Sequence, residues 1–146
     1  MKMKILVGYD GSEGSKKALE KAKNLISTCD VSEITMVHVE QHSAIEYAPY
    51  GGVVKMGDME NTAEEVFGED FKEMQEAAKT IENSKVELKI IEGNDPAQVL
   101  ADYAKEKEFD LIVVGARGTT GLNKWKPGSI SKAIVDNCCT TVMVVK

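Results

Sequence analysis

At 146 residues, 42% of them apolar and 29% charged, the chain has the size and composition of one folded domain with one core, which excludes a disordered segment. Its net charge of −6 excludes a general phosphate-backbone binder, and no apolar run approaches the ~18 residues that cross a bilayer. The opening MKMKILVGYDG meets Asp10 too soon for a signal peptide, and three cysteines without C-x-x-C spacing read as reduced thiols rather than a metal or disulfide site. The expectation is a cytoplasmic domain over residues 1–146, with no nucleic-acid or membrane partner.

The elements follow in chain order. Residues 5–9, ILVGY, form a short apolar run suited to a strand covered on both faces, and Ala18, Leu19, Ala22, Leu25 and Ile26 then recur at helical spacing. Residues 33–39, EITMVHV, make a second strand. An irregular stretch with Pro49, Gly51, Gly52 and Gly57 separates it from a second helical stripe of Ala63, Val66, Phe67, Phe71, Met74, Ala78 and Ile81. Residues 85–91, KVELKII, are the third strand. Asp95 as N-cap and Pro96 at the first helical position open a third helix, with Val99, Leu100, Tyr103 and Ala104 on its buried face. Residues 110–115, DLIVVG, are the fourth strand. A short helix with Ile130, Ala133 and Ile134 inward precedes the fifth, TVMVV, at residues 141–145.

Strands alternating with helices at this spacing imply right-handed crossovers and an α/β fold. The predicted architecture is one doubly wound open sheet of five mostly parallel strands, order 3-2-1-4-5, with about four helices on both faces. Ligands of such sheets sit beyond the carboxyl ends of the strands, at the switch point between strands one and four. Here that point lies between Asp10 and Gly115.

The segment after the fourth strand, GARGTTGLNKWKPGS, concentrates glycines with three cations, Arg117, Lys124 and Lys126, and holds no carboxylate. Gly115 and Gly118 permit close backbone approach, while Gly128 and Ser129 open a helix whose free N–H groups favour an anion. Together they form a candidate polyphosphate cradle. Taken singly, the glycines also serve turns, Ser129 an N-cap, and Asp10 the turn chemistry of D-G-S before a helix.

The order of these residues, G-x2-G-x9-G-S, resembles the nucleotide-binding signature of the universal stress protein family. The resemblance extends over essentially the whole chain, through ILVGYDGSEGSKKAL, VHV, GNDPA, DLIVVGARG and VMVV. It implies an ATP-binding domain, often dimeric, associated with stress tolerance or signalling and without a well-defined catalytic reaction. Carried over by position, Asp10 would meet the ribose or a metal through water, Val39 would recognise adenine through its backbone, and Val114 and Gly115 would flank ribose and phosphates. Gly118, Gly128, Ser129 and Ile130 would hold the phosphate chain. With Gly8 and Arg117 added, these are the candidate nucleotide-binding residues, and the expected ligand is ATP with Mg²⁺ or Mn²⁺ bound through the phosphates. Two features depart from the family pattern. Trp125, Lys126 and Pro127 replace an aliphatic helical turn, and Gly8 stands where some nucleotide-binding members have proline.

Other readings lack their motifs. Gly8, Gly11 and Gly14 are at the wrong intervals for a dinucleotide fingerprint, no G-x-x-x-x-G-K-[ST] occurs, and a receiver domain would need an acidic cluster and a lysine beyond strand five. His38 and His42 have no evident nucleophile beside them, so no catalytic residue is assigned and ATP hydrolysis is expected to be slow or absent. Residues 41–59 are expected to lie near the crevice as a lid. The fifth strand, apolar up to Lys146, is expected at the sheet edge and to pair with its own copy in a homodimer. The alternative is a dimeric interaction module of the same fold that uses no nucleotide.

Overall fold

A computed structural model describes residues 2–40, 53–55, 69–81, 85–116 and 129–146. Ten elements follow in order: β1 (Met3–Gly8), α1 (Glu13–Thr28), β2 (Val31–Glu40), β3 (Val53–Lys55), α2 (Glu69–Ala78), β4 (Lys85–Glu92), α3 (Pro96–Glu106), β5 (Leu111–Gly115), α4 (Ser129–Asn137) and β6 (Thr141–Val145). The sheet has the order β3-β4-β2-β1-β5-β6. Its five parallel strands taken alone have the order 3-2-1-4-5 inferred from the alternation of apolar runs. The sixth strand is an addition. Val53–Lys55 lies within the stretch read as irregular and pairs antiparallel with β4, Val54 opposite Ile90.

Side-chain alternation divides the core between the two faces of the sheet. Ile5, Val7, Ile34, Met36, Leu88 and Ile90 point to one side, where Ala18, Leu19 and Ala22 of α1 and Phe71 and Met74 of α2 cover them. Leu6, Val37, Val39, Ile91, Ile112 and Val114 point to the other, under Leu100, Tyr103 and Ala104 of α3 and Ile134 of α4. A strand buried on both faces has no polar side to show. That is why β1 and β5 read as unbroken apolar runs rather than as alternating ones.

The helix starts follow their capping residues. Ser12 caps α1, its hydroxyl accepting from Ser15 N–H at 3.1 Å. Asp95 caps α3, accepting from Gln98 N–H at 3.3 Å, with Pro96 in the first turn as expected. The sheet order puts β6 at one edge, with Val144 38% exposed. Among the described residues no helix is long and apolar enough to cross a membrane.

Candidate functional site

The central strand β1 stops short of both its neighbours. Gly8, its last residue, is level with Val37, and β2 continues through His38, Val39 and Glu40. On the other side Val7 is level with Val113, and β5 continues through Val114 and Gly115. The step marks the crevice expected over the end of β1, where Tyr9 and Asp10 follow the strand.

Backbone polarity in this crevice follows from the ladder bonds. Tyr9 N–H donates to the Val37 carbonyl at 2.9 Å, so Val37 faces β1, while Gly93 N–H donates to the Glu40 carbonyl at 3.0 Å, so Glu40 faces β4. Successive residues of a strand turn their peptide groups to opposite neighbours. Val39 therefore presents its N–H and C=O on the β1 side, past the point where β1 has ended. By the same alternation Ala116 N–H, bonded to the Val145 carbonyl at 2.8 Å, faces β6, and Gly115 faces β1. Val114 turns its peptide to β6 and its side chain, 1% exposed, into the core.

Asp10 is 2% exposed and one carboxylate oxygen accepts from Ser12 N–H at 2.9 Å, closing the turn that starts α1. The turn reading of D-G-S is the one the structure bears out, with Asp10 at the end of β1. Gly11 takes φ +81°, and a Cβ there would lie 2.9 Å from the Glu73 carboxylate of α2. The acidic side chains converge further on. Burial and then the charges of Glu73, Asp10 and Glu13 push the Tyr9 hydroxyl up to about 12, so Tyr9 stays protonated at neutral pH.

Gly115 touches protein more closely than its place in a ligand motif suggests. A Cβ on it would lie 2.4 Å from the Gly14 carbonyl carbon and 2.6 Å from its oxygen. The close approach thus joins the end of β5 to the first turn of α1. Ser131 Oγ donates to the Ala116 carbonyl at 3.4 Å, which sets the first turn of α4 beside the end of β5. Its positive dipole end then lies on the side of the crevice formed by β5. Ile130, half-buried, packs its side chain against the α3 and α4 core.

Of the sequence-derived site residues the structure brings together Gly8, Asp10, Val39, Gly115 and the start of α4 at Ser129 and Ile130. Arg117, Gly118 and Gly128 lie outside the described residues, as do Lys124, Trp125, Lys126, Pro127, His42 and most of the expected lid. Glu73, the contact of Gly14 with Gly115 and that of the His38 ring with Tyr9 are what motif reading did not supply. The sequence signal for Gly14 was the closely spaced glycines of D-G-S-E-G. Among the described residues no three His, Cys, Asp or Glu side chains form a metal-binding group. A separate open groove, bordered by Lys17 and Lys21 of α1 and Val145 of β6, flanks the sheet edge rather than the crevice.

A parallel doubly wound sheet with a backbone-lined crevice at its switch point is the frame of a small-ligand-binding α/β protein. Over residues 1–146 the chain matches the model of the Universal stress protein family, and it belongs to that family. Universal stress protein YxiE of Bacillus subtilis is 31% identical over 146 residues, covering 98% of each chain. The solved structure of hypothetical protein MJ0577 superposes with a TM-score of 0.74 at 25% identity, covering 100% of this chain and 96% of that one. Two further solved universal stress proteins share the fold. One, in complex with cAMP, has a TM-score of 0.65 at 20% identity, covering 99% of this chain and 96% of that one. The other, from Archaeoglobus fulgidus in complex with dAMP, has 0.61 at 18%, covering 99% and 98%.

Proposed function

We propose that this single domain binds an adenine nucleotide in the crevice over β1, ATP with Mg²⁺ carried on its phosphates, and serves as a cytoplasmic stress-response or signalling module with slow or no hydrolysis. The observation that supports this most is the direction of the peptide groups beside the end of β1. Val39 turns an N–H and a C=O toward it, the donor and acceptor pair an adenine edge requires. Electrostatics sets the direction of the ligand. Asp10, Glu13 and Glu73 gather at the β1 and α2 side, where ribose hydroxyls can donate and phosphates would be repelled. The phosphates belong at the opposite wall, against Gly115 and the N-terminus of α4. The complexes of two fold relatives with cAMP and dAMP agree in ligand class.

Thermal unfolding with nucleotide tests the reading. Mg·ATP at ten times its dissociation constant adds about 1.4 kcal/mol to the native state, a rise of roughly 5 °C for a domain of this size. Gly128→Val removes most of that rise by filling the cradle, whereas Lys124→Ala trims it only slightly. An unchanged melting temperature in millimolar Mg·ATP rejects the nucleotide and leaves the interaction module.

That second reading has its own observation, that among the described residues no strand pairs with the outer edge of β6, where Val144 is exposed. An apolar edge of this kind invites another strand, and antiparallel pairing with its own copy closes the association at two. The expected mass by light scattering at micromolar concentration is that of a dimer. Lys in place of Val144 should shift it to the monomer, and a wild-type monomer that stays soluble refutes the pairing.

A further inference from the structure

At the open side of the crevice the ladder between β1 and β2 stops one bond early. Tyr9 N–H reaches the Val37 carbonyl at 2.9 Å, and in a parallel ladder the next bond runs from Val39 N–H to the Tyr9 carbonyl. Between these two described residues that bond is not formed. The Tyr9 carbonyl instead meets Nδ1 of His38 at 3.1 Å. A carbonyl oxygen only accepts, so Nδ1 carries the proton and donates. Strand alternation puts His38 on the same face as Met36, which packs beneath α1 and α2. An oxygen that reaches this ring is therefore tilted out of the sheet plane, away from the Val39 N–H. His38 is 5% exposed, and Glu40 Oε2 lies 2.8 Å from its Nε2. The Glu40 contact fixes the ring in the orientation that holds Tyr9.

We propose that His38 is a positioning residue of the nucleotide site. By drawing the Tyr9 carbonyl out of the ladder it keeps the Val39 N–H turned to the crevice, available to an acceptor nitrogen on the adenine edge. The inference rests on the adenine-nucleotide reading above and adds a part to it. Without the ring, Tyr9 relaxes into the sheet plane, the ladder closes by one bond, and the donor is spent inside the protein.

Two substitutions separate the two bonds of the ring. Asn carries an amide nitrogen near the position of Nδ1 and still reaches Tyr9, whereas Gln carries one near the position of Nε2 and reaches only toward Glu40. Mg·ATP and inorganic tripolyphosphate, which has no base, are titrated calorimetrically into each protein. Exchange of the Val39 amide is followed by NMR without nucleotide. His38→Gln should bind ATP about tenfold more weakly, the scale of one hydrogen bond, with tripolyphosphate unchanged and Val39 exchange slowed. His38→Asn should stay within about threefold of wild type for ATP and keep the fast exchange. Unchanged ATP affinity in His38→Gln, or equal losses in both variants, overturns the proposal. If wild type itself fails to bind ATP, the adenine reading fails, and Val39 exchange then decides the geometry alone. Slower exchange in His38→Gln upholds the role of the ring, and equal exchange removes it.

Discussion

Gly115→Ala should cost about 3 kcal/mol and lower the melting temperature by roughly 10 °C, before any ligand is added. The added methyl would sit 2.4, 2.6 and 2.7 Å from the carbonyl carbon, oxygen and Cα of Gly14, all backbone atoms. No rotamer can relieve such a contact. Either the first turn of α1 moves off the sheet or the end of β5 bends, and β5 is bound on its far side by Ala116 N–H to the Val145 carbonyl at 2.8 Å. Gly93 supplies the control. Its Cβ would lie 2.5 Å from Cγ2 of Val99, a side-chain atom that can give way, so Gly93→Ala should lose less. Calorimetric unfolding of the two variants beside wild type makes the comparison. A loss under about 1 kcal/mol for Gly115→Ala would show that the β5–α1 junction yields easily, and that ligand approach alone explains the glycine.

This result bears on what could be read in advance. The chain order of elements was legible because each local signal agreed with the global one. Asp95 and Pro96 mark a helix start by their own chemistry, and β1 and β5 are apolar on both faces because both faces are covered. The edge strand β3 gave no such signal. Three residues, Val53–Lys55, lie among glycines, and their pairing is set by β4 across the sheet rather than by a period of their own. Strand register also decides what the motif left open. Val39 and Val114 look alike as apolar residues near strand ends, yet the ladder turns the peptide of Val39 to the crevice and that of Val114 to β6.

Gly115 shows a second limit. A glycine in G-x2-G reads as room for a phosphate, and nothing in its neighbours names Gly14, which is distant in the chain and meets it only when α1 lies across the end of β5. His38 is similar. A histidine at a strand end carries no visible partner, because the carbonyl it holds belongs to Tyr9, just past the end of another strand.

Asp10 is where structural and ligand roles should come apart most cleanly. Its carboxylate accepts Ser12 N–H at 2.9 Å inside a turn that is nearly sealed from water, with Asp10 2% and Ser12 6% exposed. Asp10→Ala removes a charged acceptor and strands a buried donor, a loss of about 2–3 kcal/mol and roughly 8 °C. Asp10→Asn keeps an oxygen in the same place. It also removes one of three negative charges gathered around Tyr9, so its stability should stay within about 1 kcal/mol of wild type. Binding should separate the two variants differently. A ribose hydroxyl donating to a carboxylate makes a charge-assisted bond about twice as strong as one to an amide, so Asp10→Asn should weaken Mg·ATP about tenfold while melting almost as wild type. Thermal unfolding and calorimetric titration of the pair read both effects. Full ATP affinity in Asp10→Asn would reduce Asp10 to a former of the α1 turn and move the ribose contact elsewhere, with Glu73, beside Gly11, the nearest carboxylate to examine.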